Sequence, residues 1–314
     1  MIVVSPLDGE GDIRVSFTGG RAFREARRLG RDADRIVIHF QPALYYPRGA
    51  AAALSKIRTS LSLLSLVRTR EGVEILVHEA TPSPPRWRPD HLLIGLAFAR
   101  AQLIFHTDTE RRALERDYGI RVDARLVDHS EGVSTHRPLS KDEARRRLGL
   151  DVDPRRLLLV CAGFLHPWKG YERAVRAFAE AGSPGQLMIV GSVREPSPAN
   201  LAYAADLRRM VMQTEGVSLV EGFQKDEDFD RWIIAADRLL LPYRRAWSSG
   251  ALARAQVLGT PAIVSAVGGL AEQAGTHDAV FDSDDGLVRL LRELEHAAEA
   301  EPSEQRVDGA RKRL

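Results

Sequence analysis

Residues 157–170, LLLVCAGFLHPWKG, decide the fold. An apolar run of strand length breaks at Gly163 into a short loop, and Lys169-Gly170 stands where a helix should begin. The stretch 238–272, RLLLPYRRAWSSGALARAQVLGTPAIVSAVGGLAE, repeats the pattern, with Ser248-Ser249-Gly250 at the break. Backbone N–H groups of small residues at a helix start make an anion site, and the helix dipole adds to it. Two such sites in one α/β domain imply a diphosphate gripped from two sides, hence a nucleotide-linked substrate.

Working outward, apolar runs of strand length alternate with helical patterns along nearly the whole chain. Strands are expected at 2–5, 35–40, 73–78, 102–106 and 124–128, then at 156–161, 186–190, 217–220, 237–241 and 261–265. Helical stretches fall between most of them, among them 20–29, 51–68, 109–117, 170–180, 200–213 and 250–258. Near-continuous Val/Ile/Leu strands in a βαβα alternation mean parallel sheets covered on both faces. The two sets of five strands are separated by the polar segment 134–156. The expected fold class is α/β, two doubly wound Rossmann-like domains facing across a cleft, at 1–140 and 141–298, with a polar tail at 299–314. Between Gly19-Gly20 and the strand at 35–40 there is room for one helix only, so the first domain is expected to be shortened by a βα unit.

The chain has 314 residues, 44% hydrophobic and 28% charged, enough for two medium cores. Its single cysteine, Cys161, sits inside an apolar strand run and has no internal partner, and no signal peptide is visible, so a cytoplasmic location is expected. The longest apolar stretch, 92–105, is interrupted by Arg100 and too short for a bilayer span. The net charge of +2 divides unevenly, +6 over residues 1–160 and −4 over 161–314. A basic half either faces an anionic membrane or acceptor, or merely carries solvated arginines. No feature suggests nucleic acid.

Ligands of open parallel sheets bind beyond the carboxyl ends of strands. His39, His78, His106, His129 and His166 all lie at or just past such ends, where each either serves a site or hydrogen-bonds a neighbouring loop. Glu79 follows His78, and the pair could move a proton or orient an acceptor hydroxyl; Glu79 could equally cap or ion-pair the loop 81–90. Asp-x-Asp pairs at Asp32/Asp34, Asp151/Asp153, Asp226/Asp228 and Asp282/Asp284 are at chance frequency in so acidic a chain, and none is assigned a metal. Lys169, one of five lysines, could neutralise a phosphate as a point charge.

The ordered succession of these features resembles the donor domain of GT-B glycosyltransferases of the retaining family-4 type (glycosyl transferases group 1). It begins with 157–179 and continues through QLMIVG (186–191), GVSLVEGF (216–223), ADRLLLPY (236–243) and the segment 249–272. In the first half, Gly19-Gly20 looks like the family's glycine loop, His39 and His78 like its strand-end histidines, and LVDHSEGV (126–133) like its interdomain segment. The resemblance implies a metal-independent, retaining transfer of a hexosyl unit from a UDP- or GDP-linked sugar, with no cofactor. The acceptor would be a glycan, glycolipid or small molecule.

By the same resemblance, Gly163, Lys169 and Gly170 contact the donor diphosphate, and Gly222-Phe223 lies against the base. Tyr243, Ser248, Ser249, Gly250 and Arg254 complete the donor site. Gly19, Gly20 and His39 serve the acceptor side, with His78 by the transferred sugar and Glu79 beside it. The sequence departs from the family at Phe164, where an arginine is usual, and at Ala246 and Arg254, where glutamates are usual. Those departures favour one alternative, a glycosyltransferase-like subunit that binds without turnover. A sugar-nucleotide epimerase or hydrolase of similar architecture fits less well, since it lacks the Lys-Gly helix start.

One expectation concerns the surface. Leu54, Ile57, Leu61 and Leu64 fall on one helical stripe, with Lys56, Arg58, Arg68, Arg86 and Arg88 nearby. Either the stripe is core, or it forms a basic face able to touch an anionic membrane peripherally.

Overall fold

The computed structural model describes residues 2–6, 13–15, 21–46, 53–79, 88–133, 139–153 and 156–300. The chain forms two compact units that divide between Asp128 and His129, ahead of the 140/141 boundary expected. The reason is local: a 3-10 turn at His129–Gly132 packs on a helix of the second unit. Past Ala300 the polar tail lies outside the described residues.

In the first unit the elements run β1 (Ile2–Pro6), β2 (Ile13–Val15), α1 (Arg21–Leu29), β3 (Ile36–Phe40), α2 (Pro42–Tyr45), α3 (Ala53–Thr69), β4 (Val73–Val77), α4 (Pro89–Phe98), β5 (Gln102–Phe105), α5 (Asp108–Tyr118) and β6 (Asp123–Leu126). The strands make one parallel sheet in the order β2-β1-β3-β4-β5-β6. The apolar stretch 92–105 is thus split between a helix and a strand. Among the described residues no helix is long and apolar enough to cross a membrane.

Every crossover from β2 to β6 advances in the same direction along this sheet, so right-handed connections put α1, α3, α4 and α5 on one side. The contacts of α1 with α3, α3 with α4 and α4 with α5 agree. Register shows the effect. Ile36, Ile38 and Phe40 of β3 share a face with Val73, Ile75 and Val77 of β4, and all six are buried under the helices. On the other face Glu74 and Leu76 are half-buried, and Glu74 is held by Arg35 at 2.6 Å and Arg125 at 3.3 Å. Among the described residues, then, helices cover one face of this sheet, as expected where a βα unit has been lost.

The second unit contains α6 (Lys141–Arg147), β7 (Leu158–Ala162), a 3-10 turn (Pro167–Lys169), α7 (Tyr171–Glu180), β8 (Gln186–Gly191), α8 (Pro198–Met212), β9 (Val217–Glu221), α9 (Asp226–Ala235), β10 (Arg238–Leu241), α10 (Gly250–Leu258), β11 (Ala262–Ser265), α11 (Leu270–Gln273), β12 (Ala279–Phe281) and α12 (Asp284–Ala300). Its parallel sheet has the order β12-β11-β10-β7-β8-β9. The chain winds outward from β7 to β9, then crosses back to β10 and winds the other way. Helices therefore cover both faces, and the winding reverses between β7 and β10. That reversal leaves a crevice at the carboxyl ends of the two strands, where ligands of such sheets bind.

All ten expected strands are present; β2 and β12, each three residues at a sheet edge, are additional. Strand β7 is the centre of the second core, with every residue from Leu158 to Ala162 fully buried. Burial pushes the Cys161 thiol well above its ordinary range. At the amino end of the sheet, Asp237 accepts the Leu158 N–H at 2.8 Å and pairs with Lys141 at 2.8 Å and Arg145 at 2.9 Å. Burial opposes its ionisation, yet the two cations hold the carboxyl below its usual range.

At the carboxyl end, β7 and β8 pass so closely that a Cβ on Gly191 would lie 1.7 Å from the Gly163 carbonyl oxygen. A Gly191→Ala change must separate the two strand ends, and overpacking of this kind costs about 1–3 kcal/mol or more. Its thermal unfolding is expected to begin several degrees lower than that of the unaltered chain; an unchanged melting curve would show that the strands can part freely.

Candidate functional site

The loop after β7 is built for rigidity. Gly163 N–H donates to the Val190 carbonyl and Leu165 N–H to that of Ser192, tying the loop to the end of β8. His166 Nδ1 accepts the Trp168 N–H at 3.4 Å and caps the turn that carries Lys169. Gly170 closes the turn with φ 64°, and a Cβ there would lie 2.2 Å from the Pro242 carbonyl oxygen. Only glycine satisfies both constraints. Arg244 N–H donates to the Trp168 carbonyl at 2.8 Å, so the loops after β7 and β10 are bonded together across the switch point.

Lys169 is the product of this arrangement. Its ammonium lies 3.7 Å from the centroid of the Tyr243 ring and 4.4 Å from that of Trp168. The two rings stand nearly perpendicular, with centroids 5.8 Å apart. Loss of water around the half-buried side chain lowers its pKa to about 7. Arg245 and Lys169 also help to lower the His166 pKa, after burial, so positive charge is concentrated here.

The start of α7 is different from the expectation. Its first N–H, that of Tyr171, donates to the Tyr203 hydroxyl at 2.9 Å. Glu172 stands in the first turn, where it accepts from Tyr203 at 2.8 Å and from Arg244 at 2.6 Å. The helix start itself is thus committed, and Lys169 is what this loop offers an anion.

The start of α10 is open. Ser249 is the N-cap: its Oγ accepts the Leu252 N–H at 3.3 Å. Its own N–H donates to Gln273 Oε1 at 2.8 Å, and its carbonyl accepts from Gln273 Nε2 at 2.9 Å. Gln273 thereby clamps the loop in place. The N–H groups of Gly250 and Ala251, at the first two helical positions, have no acceptor among the described residues and carry the positive end of the helix dipole. The nearest foreign atom to the face of Gly250 is His129 Nε2, 3.9 Å from where a Cβ would sit. Ser248 is half-buried in the loop just before the cap.

After β9, Gly222 N–H donates to the Gly191 carbonyl at 2.8 Å, and Phe223 stands 71% exposed, a free aromatic platform. Arg254, expected at the donor site, is instead ion-paired with buried Asp230 and reaches Asp226 at 3.6 Å. Phe164 carries the Arg194 guanidinium 5.2 Å above its ring.

In the first unit, His78 Nε2 lies 3.0 Å from His39 Nδ1, and His106 extends the row, with ring centroids 5.0 and 6.0 Å apart. Burial, then the neighbouring His106, lowers the His39 pKa. His106 Nδ1 is 3.1 Å from the Val127 carbonyl, so that nitrogen carries the proton. Glu79 Oε2 accepts weakly from Gln41 at 3.5 Å. Gly19 and Gly20 lie outside the described residues. Among the described residues no three His, Cys, Asp or Glu side chains gather into a metal-holding group.

Sequence reasoning missed the aromatic cage, the Gln273 clamp and Arg194. Trp168 beside Lys169 was the one local signal; Gln273, twenty-four residues from its partner, gave none.

Residues 156–297 match the family described as glycosyl transferases group 1. The chain is 31% identical, over 270 residues, to the D-inositol 3-phosphate glycosyltransferase 2 of Catenulispora acidiphila, spanning 82% of this chain and 60% of that protein. It is also 31% identical, over 290 residues, to the D-inositol 3-phosphate glycosyltransferase of Acidothermus cellulolyticus, spanning 87% of this chain and 60% of the relative. The chain thus spans about three fifths of the length of these curated relatives. Its fold resembles that of Anabaena HepE in complex with UDP, with a TM-score of 0.65 and 14% identity over 89% of this chain and 76% of that one. Sucrose-phosphate synthase from Thermosynechococcus elongatus gives 0.62 and 18% over 93% and 73%. These likenesses bear on the fold, which is GT-B.

An anion binding beside Lys169 needs the ammonium. Because its pKa in the free chain lies at about 7, the charged fraction falls as pH rises past that value. Inorganic pyrophosphate should therefore bind more weakly above neutrality, by up to about tenfold per pH unit, as titration calorimetry would show. Lys169→Arg, which stays charged, should flatten the profile. Equal profiles for the two proteins would remove Lys169 from the anion site.

Proposed function

We propose that the chain, whose residues 156–297 match the glycosyl transferases group 1 family, is a retaining glycosyltransferase that moves a hexosyl unit from a UDP- or GDP-linked sugar to an acceptor hydroxyl. The observation that carries this reading is the pair of anion-seeking groups flanking the switch point of the second sheet. A desolvated ammonium at Lys169 stands on one side and the open N–H groups of Gly250 and Ala251 on the other. As the glycosidic bond breaks, negative charge builds on the distal phosphate. Fixed donors that need no reorganisation stabilise that charge more than they stabilise the bound donor. Exposed Phe223 suits the base. In the first unit the His78–His39 pair and Glu79 suit an acceptor hydroxyl on a glycan, glycolipid or small molecule.

The relatives named as D-inositol 3-phosphate glycosyltransferases and the HepE complex with UDP support the class of donor. We read the transfer as independent of metal and of any cofactor. The cationic side chain and helix N–H groups supply the charge that a metal would otherwise bring. A buried, single cysteine supports a cytoplasmic setting. Binding without turnover is the second reading, favoured by Phe164 and by the commitment of Arg254 to Asp230.

Screening UDP- and GDP-sugars for binding and slow hydrolysis separates the two readings: binding with no hydrolysis and no transfer to any acceptor favours the second. Where turnover is found, Lys169→Ala should lower kcat/KM by roughly 10- to 150-fold, the loss of a charge-assisted contact of about 1.5–3 kcal/mol, with the fold intact. Activity should persist in EDTA, and NMR of the product should show the donor's anomeric configuration. Abolition by EDTA with rescue by Mg²⁺, or an inverted product, would overturn the mechanism.

A further inference from the structure

The solvent face of the first unit's helix layer differs from an ordinary solvated surface. On α3 the outward positions follow the i, i+4, i+7 and i+14 spacing and read Leu54, Arg58, Leu61 and Arg68. Leu54 is 70% exposed and Leu61 48%. Leu64, expected on the same stripe, points to the core instead. On α4, Leu92 and Leu96 are one turn apart and 54% and 49% exposed. The two helices lie side by side in one layer and pack directly on each other, so their outer faces are continuous.

The charge on this surface has one sign. Residues 53–69 contain Lys56, Arg58 and Arg68 and no carboxylate. The one carboxylate of α4, Asp90, is buried and paired with Arg88 at 2.8 Å. Arg58 and Arg68 have no carboxylate partner among the described residues. A single exposed leucine needs no explanation, but four on adjoining helices, interleaved with unpaired arginines, mark an interaction surface.

We propose that the α3–α4 face docks on an anionic lipid bilayer. A bilayer interface presents phosphates and hydrocarbon together, which is what interleaved arginines and leucines match. A second copy of this chain would set arginine against arginine, and nucleic acid would leave the leucines without an apolar partner. This surface is independent of the donor site and of the transferase reading.

Flotation of the purified chain with vesicles decides it. The chain should float with phosphatidylglycerol–phosphatidylcholine vesicles at low salt, should not float with phosphatidylcholine alone, and should be released as salt screens the attraction. Leu61→Glu with Leu92→Glu should weaken partitioning about tenfold or more. Arg58→Ala with Arg68→Ala should weaken it about fivefold per arginine and flatten the salt dependence. All four side chains point outward, so melting curves should match the parent and exclude unfolding as the cause. Absence of flotation at low salt overturns the proposal, as does flotation unaffected by both double variants. A dimer that Leu61→Glu dissociates, in a chain that does not float, assigns the face to self-association instead.

Discussion

A cation partly withdrawn from water has to find its compensation elsewhere, and at Lys169 that compensation comes from two aromatic faces. The faces of Trp168 and Tyr243 return about 0.5–2 kcal/mol, and desolvation still leaves the ammonium easier to deprotonate than a free lysine. Glu172, in the first turn of α7, is paired with Arg244. Much of the second unit's architecture serves to maintain that deficit. The Arg244–Trp168 backbone bond and the close passage of Gly170 beneath Pro242 lock two loops into one wall, and the cage cannot relax around the charge. What the protein withholds, a bound anion can provide.

The same economy of partners appears at α10. Ser249 spends its hydroxyl on its own helix and its backbone on Gln273, which makes it scaffold rather than ligand. The donors left over are the N–H groups of the next two residues, held in place because everything around them is already satisfied. The first unit follows another plan. Helices α1, α3, α4 and α5 lie in one layer, and among the described residues a row of imidazoles runs along the carboxyl edge of three adjacent strands.

How much of this could be read from the chain alone depended on whether the signal was local. Buried parallel strands are continuous apolar runs, so RLLLVC and QLMIV announced themselves. The three-residue edge strands β2 and β12, with too few residues for any period, did not. The histidines at 39, 78 and 106 were visible as strand ends; their contact required the register that puts His39 beside Leu76, two residues from His78. Tyr203 closing the start of α7, and Asp230 claiming Arg254, involve partners on other helices with no spacing rule to betray them. The GT-B fold was therefore legible almost in full. The residues of the loops after β7 and β10 were legible as positions, but which of them are held by tertiary partners was not.

Cys161 gives the two-unit construction an experimental handle. It is the chain's one thiol, sealed within β7 in the interior of the second sheet, where burial suppresses its thiolate. A thiol reagent can reach it only when that sheet comes apart, whereas opening of the first sheet leaves no chemical mark. Alkylation kinetics thus act as a clock for one half of the molecule. Slowing of that clock by a nucleotide would report coupling between ligand and sheet without any label, tag or engineered residue.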